Sequence, residues 1–263
     1  KKKKITNIPR LQDIYTFNNV LRVVGAKVDF QDKKNTLIID PTNVSHLEAP
    51  YDLVRKMRAS FYMLGALVGK HGYAKVSLPG GCAWGPRPVD LHLKGMEAMG
   101  IDIDLDKGYV IAKADKNLKK SSFKLEPSSV GATVNLLLAA VLRTEEFTIE
   151  NAAMEPDVVQ LCNVLVKMGA DISGIGTDRI TVRGVESLNG VEIANDPDRI
   201  EVGTFMIAGV LHPDSELTLE GCNVDHLGNL PELLSKTGAK VEVDGSTIKV
   251  KAPKELEAVS VAT

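Results

Sequence analysis

The chain has 263 residues, 44% of them apolar and 25% charged, enough to bury a core in one or two domains of an ordinary soluble globular protein. Lys and Arg number 32 against 34 Asp and Glu, a net charge of −2, so there is no basic excess to hold a polyanion and nucleic acid is excluded as the main partner. Three cysteines without paired spacing read as reduced thiols of a cytoplasmic protein, and no apolar run or signal-peptide pattern points to membrane insertion.

In chain order, Lys1 to Lys4 is a solvated charge run that leads into a strand at Ile5-Thr6. A helix with Asp13 in its first turn ends at Gly25, and a hairpin follows to Ile39. A longer apolar helix is predicted over Tyr51 to Val68, then a strand at Ala74 to Ser77, a loop, a helix from Asp90 to Gly100 and a hairpin to Ala112. The pattern recurs as a strand at Leu118 to Lys124, a longer helix Ser129 to Leu142, a strand to Glu150, a helix carrying Asp157 and a hairpin from Gly169 to Val182. It recurs again as a strand at Leu188 to Ile193, a longer helix Arg199 to Val210, a strand to Glu220, a helix carrying Asp225 and a hairpin from Gly238 to Val250. Leu256 to Thr263 has the pattern of one more opening strand.

The repeated mark is a helix ending in Gly25, Gly100, Gly169 or Gly238, with spacings of 75, 69 and 69 residues. Each glycine suits the left-handed position that ends a helix, and each hairpin alternates apolar and polar residues across a short turn such as Asp106-Lys107-Gly108 or Asp244-Gly245. The acids Asp13, Asp90, Asp157 and Asp225 are expected to cap free N–H groups or to face the helix dipole. The unit is therefore helix-strand-helix-strand-strand with a short entering strand. The first copy lacks its longer helix, so the chain reads as a segment of a longer array.

One copy is elaborated. From strand end to helix acid the link is seven residues or fewer in three copies (Thr6 to Asp13, Glu150 to Asp157, Glu220 to Asp225), but twelve from Leu78 to Asp90. That insert, Leu78-Pro79-Gly80-Gly81-Cys82-Ala83-Trp84-Gly85-Pro86-Arg87-Pro88-Val89, places an ionisable thiol and a guanidinium on a Gly/Pro-rich loop, where function concentrates on repeat scaffolds.

Together with the run from Ala49 to Ser60, Ser129-Val130-Gly131-Ala132-Thr133-Val134 and Pro197-Asp198-Arg199-Ile200-Glu201, this loop resembles the enolpyruvyl transferases along essentially the whole chain. The cysteine loop is similar to the branch of the family that opens peptidoglycan synthesis; the shikimate-pathway members lack it. The resemblance implies an α/β fold of inside-out barrels, each built from three such units with helices packed inward. Residues 1–196 would form the first barrel without its first helix, and residues 197–263 would begin the second.

The same resemblance implies transfer of enolpyruvyl from phosphoenolpyruvate to the 3′-hydroxyl of UDP-N-acetylglucosamine with release of phosphate, and implies no cofactor and no metal. Cys82 matches the general acid, which the epoxide fosfomycin alkylates, and Arg87 matches a residue that offsets phosphate charge. Arg87 also favours thiolate over thiol, whereas a general acid needs the thiol. Substrate-binding positions match Arg58, Arg87, Pro88, Val89, Asp90, Leu91, Ser129, Val130 and Gly131, the last three opening a helix whose N-terminus suits a diphosphate. Asp90 has two readings, helix cap or ligand contact; His92 is structural or functional; Asp198 and Arg199 are a family element or a structural ion pair. Pro127 departs from a lysine usual two residues before that serine, which weakens the site or changes its hydrogen bonds.

Further family residues, a Lys-Asn pair and a carboxylate proposed as base, match nothing in this chain, so the segment alone is expected to show negligible turnover. The alternative is a non-catalytic UDP-sugar-binding paralogue or separated domain, which would keep Arg58 and the Ser129 helix without needing Cys82. Cys162 and Cys222 read as packing thiols, and the five histidines have no metal-ligand spacing.

Overall fold

A computed structural model describes residues 2–54, 57–79 and 89–260. The chain divides into two compact units, Lys1–Asn195 and Asp196–Thr263.

In the first unit the opening repeat comprises β1 (Lys3–Thr6), α1 (Gln12–Val23), β2 (Lys27–Gln31) and β3 (Thr36–Asp40). The second comprises β4 (Glu48–Ala49), α2 (Tyr51–Val54), a 3₁₀ turn at Arg58–Tyr62, α3 (Met63–His71), β5 (Tyr73–Ser77), α4 (Asp90–Met99), β6 (Asp102–Asp106) and β7 (Tyr109–Lys113). The third comprises β8 (Ser121–Lys124), α5 (Val130–Ala140), β9 (Phe147–Glu150), α6 (Pro156–Lys167), β10 (Asp171–Ser173) and β11 (Arg179–Arg183), and β12 (Glu192–Ala194) follows.

Three four-stranded sheets result, ordered β12-β1-β3-β2, β4-β5-β7-β6 and β8-β9-β11-β10. In each, a short entering strand runs parallel to the second strand of the order and a hairpin completes the sheet antiparallel. The first sheet draws its entering strand from the far end of the unit: β12 lies parallel to β1 with Ile193 opposite Ile5, and Lys4 Nζ pairs with Glu192 Oε1 at 2.6 Å. The three repeats thereby close on themselves.

The glycine mark is realised in every copy: Gly25, Gly100, Gly169 and Gly238 have φ of 103°, 92°, 103° and 89°, a region only glycine enters without strain. In the first three copies the next residue donates back into the helix, Ala26 to Leu21, Ile101 to Met96 and Ala170 to Leu165, at 2.9 to 3.0 Å, the bond that closes a Schellman motif.

The helices α3, α4 and α5 face inward and carry the core. Leu64, Val68, Met96, Leu136, Leu137, Ala139 and Ala140 are fully buried among the inner faces of the strands, represented by Val76, Val110, Phe147, Ile149 and Val182. Each large side chain so buried contributes about 1.5–3 kcal/mol. The inner helices approach closely because they meet through glycine: a Cβ on Gly69 would stand 2.5 Å from the Leu138 carbonyl oxygen, and one on Gly65 2.2 Å from that of Asn135.

Three features differ from the sequence reading. The segment Tyr51 to Val68 is not one helix: Met57 is extended (φ −150°, ψ 114°), and the 3₁₀ turn separates α2 from α3. An inserted amide further marks the passage from the 3₁₀ turn into α3. Asn135 Oδ1 accepts from Gly65 N–H at 2.8 Å and its Nδ2 donates to the Phe61 carbonyl at 3.3 Å, so the two groups an unbroken helix would pair with each other are both met by α5. The acids Asp13, Asp90 and Asp157 do lie in first turns, but the N-cap residues are Leu11, Val89 and Glu155, none capping through its side chain. Side-chain caps occur instead on the longer helices. Finally, residues 252–260 contain no strand, and 261–263 lie outside the described residues; an opening strand persists only beside a partner, and no described strand pairs with Leu256 to Ser260.

The second unit holds α7 (Arg199–Leu211), β13 (Glu216–Leu219), a 3₁₀ turn Val224–Leu227 that carries Asp225, α8 (Leu230–Lys236), β14 (Lys240–Asp244) and β15 (Thr247–Lys251). Its sheet is β13-β15-β14, with no parallel entering strand among the described residues, over a small core of Met206, Val210, Leu234, Ile248 and Val250. Ile200, Phe205, Ile207 and Leu211 of α7 are exposed.

The close approach of α3 and α5 predicts that Gly69→Ala lowers the stability of the chain by about 2 kcal/mol or more, since the neighbour is rigid backbone. Urea unfolding followed by circular dichroism checks this; an unchanged midpoint would mean that the two helices separate at little cost.

Candidate functional site

The candidate residues Ser129, Val130, Gly131 and His92 meet at the N-terminus of α5. Ser129 is its N-cap: its extended backbone (φ −148°, ψ 116°) turns Oγ to accept from Ala132 N–H at 3.2 Å, and its carbonyl accepts from Thr133 N–H at 2.9 Å. The cap leaves the N–H groups of Val130 and Gly131 as the open donors of the first turn, with the positive end of the helix dipole behind them.

Two side chains reach this turn from neighbouring elements. His92, in the first turn of α4 and 4% exposed, brings Nε2 and Cε1 to 3.3 Å from the place a Gly131 Cβ would occupy. The Tyr62 hydroxyl, from the 3₁₀ turn, is 3.8 Å from the same point. The absence of a side chain at Gly131 is what lets the imidazole lie against the helix backbone. Phe61 holds the ring from the other side, edge-on, with centroids 5.4 Å apart.

The proton on that imidazole is determined by Asn135. Because Gly65 N–H must meet an acceptor and the Phe61 carbonyl a donor, the Asn135 amide has one workable orientation, with Nδ2 3.1 Å from His92 Nδ1. An amide NH₂ can only donate, so His92 Nδ1 accepts and the ring proton resides on Nε2, facing Gly131. Burial, reinforced by the positive charge of Arg58 and only partly opposed by Asp90, pushes the His92 pKa down to about 4. Arg58 opens the 3₁₀ turn and also acts on Tyr62, whose pKa burial raises while Arg58 lowers it and Asp157 raises it. Arg58, Tyr62, His92 and the α5 first turn thus share one electrostatic environment, in which the donors gathered at Gly131 suit an anionic oxygen.

The other predicted positions divide as follows. Cys82, Arg87 and Pro88 lie outside the described residues. Val89 is the N-cap residue of α4, and Asp90 and Leu91 are its first two helical residues. The capping role expected of Asp90 is not seen; its carboxylate pairs with Lys94 one turn on, at 3.3 Å. Asp198 belongs to the second unit and caps α7, accepting from Ile200 N–H at 2.8 Å and Glu201 N–H at 3.1 Å, and Arg199 is the first residue of that helix. Of the other cysteines, Cys162 is fully buried with its thiol pushed up to about 11 by desolvation, and Cys222 is buried with its pKa raised for the same reason. Among the described residues no three His, Cys, Asp or Glu side chains gather as metal ligands, and no helix is long and apolar enough to cross a membrane. Sequence reasoning missed Tyr62 and Asn135, although a lone amide in an apolar helix was a signal for the second.

Three repeat sheets closed around inward helices, with anion-type donors at the mouth of one of them, define an inside-out α/β barrel of the enolpyruvyl transferase fold. The chain belongs to the EPSP synthase (3-phosphoshikimate 1-carboxyvinyltransferase) family, whose family model matches residues 1–263. It is 47% identical over 253 residues to a UDP-N-acetylglucosamine 1-carboxyvinyltransferase of Chloroherpeton thalassium, covering 96% of this chain and 58% of that protein. It is 43% identical over all 263 residues to UDP-N-acetylglucosamine 1-carboxyvinyltransferase 1 of Staphylococcus aureus, 62% of that protein. Among solved structures, the enolpyruvyl transferase NikO from Streptomyces tendae superposes with a TM-score of 0.83 at 26% identity, over 96% of this chain and 60% of that one. EPSP synthase from Acinetobacter baumannii shares the fold, with a TM-score of 0.71 at 18% identity over 99% of this chain and 61% of that one. The chain therefore spans about six tenths of the length of these relatives.

The buried neutral state of His92 has a consequence for stability. With a folded-state pKa of about 4 against 6.5 unperturbed, the folded chain binds fewer protons than the unfolded chain between those values. The contribution is present in full above pH 6.5 and is lost as the pH falls toward 4, about 3 kcal/mol across the window. Urea midpoints at pH 7.5 and pH 5 are expected to fall more in the native chain than in His92→Gln; equal falls would show that the folded chain protonates His92 freely.

Proposed function

We propose that the protein to which this chain belongs transfers enolpyruvyl from phosphoenolpyruvate to the 3′-hydroxyl of UDP-N-acetylglucosamine with release of phosphate, a step of cell-wall synthesis carried out in the cytoplasm. The single observation that carries this reading is the cluster of donors at the α5 N-terminus, where the open N–H groups of Val130 and Gly131 meet His92 beside the charge of Arg58. Such an arrangement suits a diphosphate. The names of the relatives at 43 and 47% identity supply the rest of the substrate.

In this reading the first unit contributes one wall of the nucleotide-sugar site. Arg58 and Val89 to Leu91 flank the ligand, and Ser129, by holding the α5 cap, keeps the two N–H groups directed outward. Asp198 and Arg199 serve the architecture of α7 rather than the substrate. Cys82 donates its thiol proton to carbon 3 of the enol as the sugar hydroxyl attacks carbon 2 and gives up its own proton to a base supplied from outside this chain. The resulting ketal then returns a proton from carbon 3 to a base and expels phosphate, which restores the double bond. Arg87 balances phosphate charge on the same loop. No metal or cofactor is needed for either proton transfer.

Two measurements test this. Fosfomycin, an epoxide that needs a reactive thiol, is expected to leave one adduct on Cys82 and none on Cys162 or Cys222, whose thiols are buried and held protonated. Mass spectrometry of the digested native chain reads this, and labelling spread over all three cysteines, or absent from Cys82, would count against the proposal. Arg58→Ala is expected to weaken binding of UDP-N-acetylglucosamine by about tenfold or more, the scale of a lost charged hydrogen bond. Unchanged affinity by calorimetry would remove Arg58 from the site.

A further inference from the structure

At the C-terminal end of α5 the chain encloses a cavity of about 570 Å³, bounded by the loop after β7, the turn that follows α5 and the loop after β11. Its polar lining is Lys116, Asn117, Arg143, Thr144 and Glu186. The eleven residues of α5, about 16 Å of helix, separate it from the Ser129 cap. Backbone bonds fix its walls: Leu118 N–H donates to the Arg143 carbonyl at 2.8 Å, Glu145 N–H to that of Leu118 at 2.7 Å, and Gly184 N–H to that of Thr144 at 2.9 Å.

Two side chains of this lining are incompletely satisfied. Arg143 is partly buried; its Nε donates to the Val68 carbonyl at 2.7 Å and its Nη1 to that of Asp115 at 3.0 Å. Two of the five guanidinium N–H groups are thereby engaged and three remain. Among the described residues no carboxylate lies within ion-pair distance of Arg143, and burial alone lowers its pKa, with no neighbouring acid to offset the shift. Thr144 is 4% exposed, and its N–H and carbonyl are met by Ala140 and Gly184, yet its hydroxyl is buried without a partner. Buried hydroxyls are seldom left so, and this one belongs to a cavity wall. Lys116 and Glu186 form no ion pair among the described residues, which leaves two cations in the lining against one unpaired carboxylate.

We infer that this cavity binds the phosphate group of a small molecule, held by the Arg143 guanidinium, the Lys116 ammonium and the Thr144 hydroxyl. A phosphate monoester offers three oxygens to donors that come from separate elements, and a guanidinium edge can take two of them. The volume exceeds what a bare ion fills and lies in the range of ligand pockets. Leu142 and Val185 border the remaining space, and Glu186 disfavours a second anionic group there, so the rest of the ligand is small and uncharged. A purely structural role for Arg143, as a tie to the last turn of α3, accounts for the bond to Val68 but not for the unpaired hydroxyl of Thr144. The inference does not depend on the reading of the α5 N-terminus.

The test is a ¹H–¹⁵N NMR titration of the full chain with inorganic phosphate, with sodium chloride at matched ionic strength as the control. Phosphate is expected to move the Thr144 and Gly184 amides and the Arg143 Nε–H resonance saturably. Lys116→Gln is expected to weaken that binding by about tenfold and Thr144→Val by about fivefold. Without phosphate, Thr144→Val is expected to match or exceed the urea midpoint of the native chain, because it removes the unpaired hydroxyl; weaker binding then reports the lost donor and not a lost fold. Movement confined to the Val130 and Gly131 amides would overturn the inference and leave the diphosphate reading in place. Movement that does not saturate, or that chloride reproduces, means an adventitious ion only and overturns it as well. So would native affinity in both variants, and the titration of the native chain decides the matter should either variant not fold.

Discussion

The side-chain amide of Asn135 is the constraint on which the interior of the first unit depends. It stands in the place of a helix hydrogen bond between Phe61 and Gly65, which are carried by a different repeat seventy residues earlier in the chain. A buried amide with two donors and an acceptor is tolerated only when each is satisfied, and here all are: one N–H by a carbonyl, the other by an imidazole, the oxygen by a backbone N–H. Three consequences follow from that one group. The 3₁₀ turn that Arg58 opens is tied to α5 where it passes into α3. The α3 and α5 backbones are tied at the close approach that Gly65 and Gly69 permit. And the imidazole of His92 is left with one orientation and one tautomer.

The scaffold around this group is repetitive, and repetition is why so much of it was legible in the amino-acid sequence. The glycines at the ends of the shorter helices recur because each hairpin needs the same left-handed exit, a local requirement that leaves a local mark. The apolar helices Val130–Ala140 and Arg199–Leu211 were equally plain from their composition. What periodicity could not disclose was pairing. Nothing in Glu192 to Ala194 says that this strand lies beside β1 rather than beside the β13 that follows it, because a parallel partner is chosen by the closure of the whole unit. The broken helix was hidden because Val54, Phe61, Leu64 and Val68 keep an apolar rhythm through the break.

For the candidate site the division falls differently. Ser129, Val130 and Gly131 were read as opening a helix and they do, whereas the cap that Ser129 supplies went unread. Asp90 and Asp198 show how one signal serves two residues unequally: both are acids at a helix start, yet Asp198 precedes its helix and can fold back onto Ile200 and Glu201, whereas Asp90 is already inside α4 and pairs with Lys94. The role of His92 was open on sequence alone, because a buried histidine and a ligand-facing one have the same neighbours in the chain. Its tautomer depends on a side chain forty-three residues away, and only three-dimensional placement decides it.

The parallel pairing of β1 with β12 sets the order in which the first unit can mature during synthesis. Strand β1 acquires its parallel neighbour only after residue 194 has been added, a contact that spans nearly the full length of the unit. Until then the β12-facing edge of β1 presents unsatisfied N–H and carbonyl groups, the template on which chains aggregate, and the lysines at its start supply the like charge that discourages a second chain from joining there. The second and third sheets, whose strands lie within shorter stretches of chain, carry no such delay. Strand β12 is therefore also the clasp of the unit, since the first sheet lacks its parallel member until residue 194 has been added.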